Sequence, residues 1–227
     1  MIENSGLARV IFLSAVYILA IAFGAQANTS EMKASDQKAL AEAETAKIYF
    51  SGAVSQQKIN ELVAAIDDLN VNHKALKKIY LYINSGGGEV SSGYAGYWAI
   101  KSSNIPITTV NIATVISSAT MLFCGSSERE SLDGAIFVIH PPSTDVRAAS
   151  YQPDHLVLME QNLQTARKFF SDIYRECTNF SDNEMSSILH SENTRKSLLP
   201  EEAKKRKMIN GIADAIVETP IAFYIFD

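Results

Sequence analysis

The stretch that decides the fold is residues 79–88, which read IYLYINSGGG. Its first part, Ile79–Asn84, is β-branched and aromatic, which predicts a buried strand. Three consecutive glycines, Gly86–Gly88, follow that strand. Because glycine has no Cβ, such a turn can approach another group closely and point bare backbone N–H groups at it. The stretch therefore predicts a strand that leads into a cradle of hydrogen-bond donors.

Two further predicted strands end on side chains that can do chemistry. The apolar run 107–115 precedes Ser117-Ser118-Ala119-Thr120 at a strand-to-helix junction, and the run 135–139 ends on His140. A serine hydroxyl is a poor nucleophile until an imidazole accepts its proton, and backbone N–H groups can stabilise the oxyanion that forms. The glycine turn, the serine and the histidine are together the parts of an acyl-transfer site. A serine at a helix start can also be only a helix cap, which is the non-catalytic alternative.

Helical and strand patterns alternate along the chain, which favours an α/β fold with parallel strands. Apolar residues repeat at helical spacing over 58–69, 90–101 and 154–177. With 227 residues and 47% hydrophobic content, the chain can bury one core, so a single domain over 48–227 is expected. Trp98 is expected in that core, 125–129 is expected as a turn, and the apolar tail 221–226 is either a last strand or a surface that another subunit covers.

The first 47 residues are expected to lie outside the domain. Arg9 precedes an apolar run over 10–24, and Ala25-Gln26-Ala27 has the small-x-small pattern of a signal-peptidase site. The run is shorter than the ~20 residues that a membrane span needs. A cleaved signal peptide over 1–27 is therefore favoured over an uncleaved anchor, and the polar, alanine-rich residues 28–47 are expected to form a spacer. The predicted location is periplasmic or secreted.

Charge and cysteine content exclude several kinds of partner. A net charge of −5 gives no electrostatic reason to expect nucleic acid. An oxidising compartment would permit a bond between Cys124 and Cys177, but their apolar neighbours favour two buried thiols. Neither cysteine has a metal-ligating partner at useful spacing, so no metal site and no cofactor are expected.

His73, His155 and His190 lie in polar segments and are expected on the surface.

Over residues 48–140 the sequence resembles the proteolytic subunit family of the Clp protease, within the ClpP/crotonase fold. Tyr80–Ser85 followed by a glycine pair is similar to the family signature YINSPGG, with Gly86 where the proline usually stands. Ser117-x-Ala119 resembles the nucleophile motif of that family, and Phe137–Pro141 resembles its histidine motif. The resemblance implies repeated β-β-α units around a parallel sheet and a long protruding helix.

The resemblance also implies roles for individual residues. Ser117 would be the nucleophile of a serine peptidase, with Ser118 as a remoter alternative, and His140 would be the general base. Gly88 and Ser118 would donate backbone N–H groups to the oxyanion. These roles predict hydrolysis of peptide bonds through an acyl-enzyme.

The third catalytic residue departs from the family pattern. The family has an aspartate between the long helix and a PEEA-like helix start, whereas residues 191–195 read SENTR here. Glu192 or Asn193 could accept the imidazole N–H instead, and Asp182 is a remoter candidate. Because the aspartate is missing, a non-catalytic binding or assembly protein on the same fold is one alternative function. A crotonase-like acyl-thioester enzyme, which would use the same oxyanion geometry, is the other.

The resemblance implies partners as well. Peptides or proteins are the expected substrates. Relatives of this fold assemble into rings, and the helix over 154–177 resembles the part that joins two rings, so a homo-oligomer is expected. A Clp-type ATPase partner is not expected, because the signal would place this chain away from ATP.

Overall fold

The computed structural model describes residues 28–33, 37–146 and 149–227. The predicted signal peptide over 1–27, with its alternative reading as an anchor, lies outside these residues. In the described part of the chain, nine strands belong to one sheet. They are Asn28–Lys33 (β1), Thr45–Ser51 (β2), Lys78–Ser85 (β3), Ile107–Ile116 (β4), Glu128–Leu132 (β5), Ile136–Ile139 (β6), Lys196–Leu198 (β7), Gly211–Ala213 (β8) and Ile221–Phe226 (β9).

The main path of the sheet runs β1-β9-β2-β3-β4-β5-β8, and β6 and β7 are attached beside β4. Pairing is parallel except between β1 and β9 and between β6 and β7. The helices are Gln37–Ala41 (α1), Gln56–Asn72 (α2), Val90–Lys101 (α3), Ala119–Cys124 (α4), Pro153–Cys177 (α5), Asp182–Ile188 (α6) and Pro200–Lys205 (α7). This is the predicted α/β architecture with a largely parallel sheet.

The buried face of α2 shows why the sequence periodicity located the helices. Ile59, Leu62, Ile66 and Leu69 recur at helical spacing, and all four are buried in the core. The helix extends beyond the predicted 58–69 because its polar ends carry no apolar signal, and Ser55 caps its first turn. Helices α2, α3 and α4 pack next to one another, and α4 also contacts α5.

Strand β4 divides between two neighbours. Thr108–Asn111 pair with β5, whereas Thr114–Ile116 pair with β6. Between the two segments the Asn111 side chain accepts a hydrogen bond from the Ala113 N–H and donates one to the Ile136 carbonyl, at 3.1 and 3.0 Å. This irregularity turns the end of β4 away from β5 and beside β6. As a result, the residues that follow β4 and β6 are neighbours.

Two parts of the chain differ from the expectations drawn from the sequence. The segment 28–47, expected as a spacer, contains β1, α1 and the start of β2, and β1 pairs with β9 through six residues. Strand β5 begins at Glu128, inside the predicted turn over 125–129. Both strands carry polar or charged side chains, so they lack the apolar runs that mark a buried strand. The tail 221–226 is the strand β9, which lies between β1 and β2.

Two predicted burial states are also corrected. Trp98 is 48% exposed, because α3 turns Tyr97 and Ile100 toward the core and leaves the indole on the rim. His73 is half-buried rather than exposed, because it caps the C-terminal end of α2 beside Asp68. His155 and His190 are exposed, as expected.

Cys124 and Cys177 form a disulfide, which corrects the prediction of two buried thiols. Both cysteines are buried, and the contact between α4 and α5 brings their Cα atoms to 5.6 Å. Local sequence could show that each was buried, but it could not show that the two helices meet there. The bond joins the C-terminal ends of α4 and α5.

Helix α5 is the longest element, and much of it is exposed. Its buried residues are confined to the C-terminal half, at Phe170, Ile173, Tyr174 and Cys177. Leu156, Val157 and Leu158 in its N-terminal half are exposed. Across the described ranges, no helix combines the length and the apolar character needed to cross a membrane.

Candidate active site

Ser117 occupies the tight turn between β4 and α4. Its φ is 56°, in the left-handed region that costs a non-glycine residue about 1–3 kcal/mol. Hydrogen bonds hold this conformation: the Ser117 N–H donates to the Val138 carbonyl at 3.1 Å, and the Thr120 N–H and hydroxyl donate to the Ser117 carbonyl at 2.9 and 2.5 Å. The side chain is partly exposed. The turn therefore leaves Ser117 partly exposed at the end of the sheet.

The glycine turn after β3 packs directly against this serine. Gly87 has a φ of 90°, and a Cβ at that position would lie 2.6 Å from the Ser117 Cβ and 2.7 Å from the Ile116 carbonyl oxygen. The Gly87 N–H is held by the Ser85 hydroxyl at 3.1 Å, and its carbonyl accepts from the Val54 N–H at 2.9 Å. A residue without a side chain is required here because the two backbones approach so closely.

Two backbone N–H groups beside Ser117 are available to a ligand. Within the described ranges, neither the Gly88 N–H nor the Ser118 N–H donates to a protein acceptor. Gly88 is exposed and has a φ of 155°. It forms an isolated parallel bridge with Val54. These are the two donors that the family resemblance implies for an oxyanion.

His140 follows β6, at the same end of the sheet as Ser117. Ile116 pairs with Val138, so Ser117 and His140 continue from neighbouring parallel strands in the same direction. Among the described residues no hydrogen bond joins the Ser117 hydroxyl to the imidazole. Catalytic hydrogen bonds of this kind are often long without substrate and tighten in the Michaelis complex. The His140 side chain is 23% exposed, so both groups are open to a substrate.

Glu192 is the candidate for the third catalytic position that contacts His140. Its Oε2 lies 3.4 Å from the imidazole Nδ1, which leaves Nε2 for the serine side. Glu192 begins a 3₁₀ turn that leads into β7, and the antiparallel pairing of β7 with β6 carries it to His140. Its other oxygen, Oε1, accepts from Arg195 Nη1 at 3.1 Å.

The other two candidates lie elsewhere. Asn193 lines a shallow groove beside α6 with Ser187 and Ile188. Asp182 forms an ion pair with Arg175 at 3.1 Å, at the start of α6. In the described part of the chain, neither forms a hydrogen bond or an ion pair with His140.

Ser118, the alternative nucleophile, is fully buried, and its hydroxyl has no hydrogen-bond partner among the described residues. Its Cβ and carbonyl lie against Gly93 of α3, where an added methyl group would come within 3.0 Å of that Cβ. A substrate carbonyl can reach Ser117 but not the side chain of Ser118. The backbone N–H of Ser118 is still next to Ser117 and is available to a ligand.

One supporting contact was not predicted from the sequence. The fully buried Tyr174 hydroxyl lies 2.6 Å from the Thr120 hydroxyl, which in turn donates to the Ser117 carbonyl. Burial raises the pKa of Tyr174 well above its ordinary value, so the phenol stays neutral and can donate. Tyr174 lies four residues after Phe170 on the buried stripe of α5. Its partner is on another helix, so no local sequence signal pointed to the contact.

The sequence model described as Clp protease matches residues 30–220. An ATP-dependent Clp protease proteolytic subunit from Pleurastrum terricola is 26% identical over 133 residues, which are 58% of this chain and 66% of that protein. The ATP-dependent Clp protease proteolytic subunit 1 from Frankia casuarinae is 33% identical over 124 residues, 53% of this chain and 57% of that protein. The matched region thus spans less than two thirds of either relative.

A solved structure of a ClpP1 mutant from Listeria monocytogenes superimposes with a TM-score of 0.65 at 19% identity. The superposition covers 74% of this chain and 91% of that one. At this identity the likeness establishes a shared fold.

Proposed function

The chain belongs to the Clp protease family, and from that membership we propose that it is a serine peptidase that hydrolyses peptide bonds through an acyl-enzyme. Ser117 is the nucleophile and His140 is the general base. Glu192 orients the imidazole, and the N–H groups of Gly88 and Ser118 bind the oxyanion. Peptides or proteins are the substrates.

One observation carries the proposal: a partly exposed serine in a left-handed turn lies beside two N–H groups that no protein acceptor in the described ranges occupies, at the strand end next to His140. A helix cap needs none of these features. A capping serine accepts a hydrogen bond from its own helix, whereas α4 starts only at Ala119 and Ser117 makes no such side-chain contact among the described residues. The geometry therefore favours catalysis over capping.

The reaction follows from the position of each group. His140 accepts the hydroxyl proton through Nε2 while the Ser117 oxygen attacks the peptide carbonyl carbon. The negative charge on the carbonyl oxygen is stabilised by the Gly88 and Ser118 N–H groups. His140 then donates the proton to the leaving amine, and the C–N bond breaks. Water, activated by the same imidazole, hydrolyses the acyl-serine and restores the enzyme.

Glu192 supports catalysis even though the family aspartate is absent. A carboxylate oxygen at Nδ1 fixes the tautomer in which Nε2 can accept a proton, and it stabilises the imidazolium that forms. Arg195 holds the second oxygen of Glu192, which restricts the rotation of the carboxylate. This contact weakens the case for a non-catalytic protein, because the missing aspartate was its motivation.

We further propose that the enzyme works outside the cytoplasm as a homo-oligomer without a Clp-type ATPase. The Cys124–Cys177 disulfide supports an oxidising compartment, because such bonds are rare where thiols are kept reduced. The exposed Leu156, Val157 and Leu158 on the long helix support assembly, because adjacent apolar side chains are seldom left in water.

The test is labelling of the protein with a fluorophosphonate probe, which reports an activated serine without requiring a known substrate. We expect wild type and Ser118→Ala to be labelled, since Ser118 contributes only its backbone. Ser117→Ala should not be labelled. Equal labelling of wild type and Ser117→Ala would refute the proposal.

Two further outcomes would identify the alternatives. Thioester turnover that survives Ser117→Ala would favour a crotonase-like enzyme, which does not need the Ser–His pair. Full biological function of a variant with alanine at both Ser117 and His140 would favour a binding or assembly protein.

A further inference from the structure

A second group of reactive side chains meets where β1 approaches the C-terminal end of α2, away from the candidate active site. Glu31 comes from β1, and Asp68 and His73 come from the C-terminal end of α2. One ligand atom from each of the three residues lies within 4.8 Å of the other two. The residues are far apart in the sequence, so spacing motifs did not reveal them, and the sequence predicted no metal site.

Two of these atoms are buried and unsatisfied. Asp68 Oδ2 and His73 Nε2 have no accessible surface and no hydrogen-bond partner among the described residues. They face each other at 3.6 Å, beyond the range of a hydrogen bond. The other oxygen of the same carboxylate, Oδ1, accepts a hydrogen bond from Asn72 Nδ2 at 2.6 Å. The carboxylate is thereby held with Oδ2 directed at the imidazole.

This arrangement fits an ion between the two atoms better than a direct contact. Buried polar groups almost always have a partner. If Asp68 and His73 were partners of each other, a small rotation would bring the two atoms to ~2.8 Å, yet they lie 3.6 Å apart. Zinc binds imidazole nitrogen and carboxylate oxygen at about 2.0–2.2 Å. Two atoms 3.6 Å apart, each ~2.1 Å from a common ion, subtend an angle of about 120°. That angle is close to the tetrahedral geometry that zinc prefers.

The donor set also indicates the class of ion. One imidazole and two carboxylates suit a divalent transition metal, whereas calcium and magnesium take oxygen ligands. The side chains of His73 and Asp68 are 13% and 34% exposed, and Glu31 is at the surface, so an ion and its remaining water ligand have access.

We propose that Glu31, Asp68 and His73 bind one divalent transition-metal ion of the zinc class, which fastens β1 to α2. In the described part of the chain, β1 pairs with β9 alone, and the Thr29 hydroxyl donates to Glu61 of α2. The ion adds a second link between the same two elements. It stabilises the strand that leads into the domain, and it does not take part in the peptidase reaction.

The test uses the full chain without a polyhistidine tag. Cobalt(II) is titrated first, because tetrahedral cobalt has visible absorption bands, and zinc binding is then measured by calorimetry. We expect one ion per chain. Asp68→Asn and His73→Ala should weaken binding by at least tenfold, in the range found when ligands or their supporting groups are lost. Glu31→Gln changes only an exposed side chain, so it tests the site without affecting the core.

Asp67→Asn and His155→Ala are the matched controls, since both residues are exposed and lie outside the cluster. They should bind as wild type does. Zinc should also slow hydrogen exchange of the β1 amides in wild type and in the controls, but not in Glu31→Gln. The proposal is overturned if wild type binds neither ion, or if the ligand variants bind as tightly as the controls.

Discussion

At the scale of single residues, the backbones of Gly87 and Ser117 depend on each other. Both have positive φ angles, and the two turns are in contact at the position that a Cβ on residue 87 would occupy. Neither backbone can relax without moving the other. The unusual conformation of Ser117 is therefore maintained by the glycine turn as well as by its own hydrogen bonds to Val138 and Thr120.

Gly87→Ala should reduce both stability and labelling by the fluorophosphonate probe. The new Cβ would lie 2.6 Å from the Ser117 Cβ, at a φ that alanine adopts only with strain. We expect a loss of more than ~1 kcal/mol in the free energy of unfolding from strain alone. The labelling rate should fall by about 10² or more, because a displacement of ~1 Å at the nucleophile is that costly.

The neighbouring residue provides the control. Gly86 has nothing within 4 Å of a built Cβ, and its φ is not in the positive range. Gly86→Ala should therefore keep wild-type stability and labelling. Equal effects of the two substitutions would contradict the packing described for Gly87.

Glu192→Gln should slow labelling of Ser117, while Asn193→Ala should not. Loss of a buried triad carboxylate costs about 10⁴ in rate. Glu192 is 58% exposed, so water can replace part of its effect, and we expect a fall of roughly 10–100-fold. If Asn193→Ala is labelled slowly and Glu192→Gln is labelled at the wild-type rate, the orienting role belongs to Asn193 and not to Glu192.

At the scale of secondary structure, α4 is fastened to α5 at two levels. Thr120 and Tyr174 meet through their hydroxyl groups, and Cys124 and Cys177 are bonded about one turn further along each helix. Because Thr120 also donates to the Ser117 carbonyl, the contact of α5 with α4 helps to hold the backbone of Ser117 in place.

Replacing both Cys124 and Cys177 by serine should lower the melting temperature. The cysteines are 53 residues apart, and closure of a loop of this length corresponds to at most ~4 kcal/mol, with 2–4 kcal/mol typical. For a chain of this size we expect a fall of roughly 4–16 °C. In scanning calorimetry, a reductant should lower the transition of wild type but not that of the double variant. A wild-type transition that the reductant leaves unchanged would contradict a stabilising disulfide.

The elements that the sequence predicted correctly are those with apolar periodicity. Strands β3 and β4 and helices α2, α3 and α5 bury regular apolar positions, and their predicted bounds agree with the structure to within a few residues. Strands β1 and β5 were missed because edge and polar strands carry no such signal. The division of β4 was missed as well, since it depends on Asn111 bridging to Ile136 across the fork.

The candidate site could be predicted only in part for the same reason. Ser117, His140 and Gly88 follow predicted strands, so parallel pairing was enough to expect them at one end of the sheet. The choice between Glu192 and Asn193 depends on how the short strand β7 pairs, which local sequence does not specify. The contacts of Tyr174 and of the Glu31–Asp68–His73 cluster join distant segments and have no local signature.

At the scale of the whole molecule, the exposed half of α5 is the surface most suited to self-association. Three consecutive apolar residues, Leu156–Leu158, point in different directions around the helix and are all exposed. A protein surface rarely leaves such a group in water unless a partner covers it.

Replacing Leu156, Val157 and Leu158 together by serine should shift the protein toward smaller assemblies. The reason is the loss of apolar area that a partner would cover, at about 25 cal/mol per Å². Light scattering should report a lower mass than for wild type. Val71→Ser, at an exposed apolar site on α2, is the control and should keep the wild-type mass. A monomeric wild type would refute the proposed assembly.

The fork in β4 has a consequence for how activity could be adjusted. Ser117 continues the long main sheet, whereas His140 and Glu192 flank the short pair β6 and β7, whose ladder with β4 is the three residues Thr114–Ile116. A small rotation of that pair about its three-residue ladder would change the position of His140 relative to Ser117 while the rest of the molecule stayed intact. In the proposed reaction, such a shift would lower the rate of turnover without a measurable change in the melting temperature.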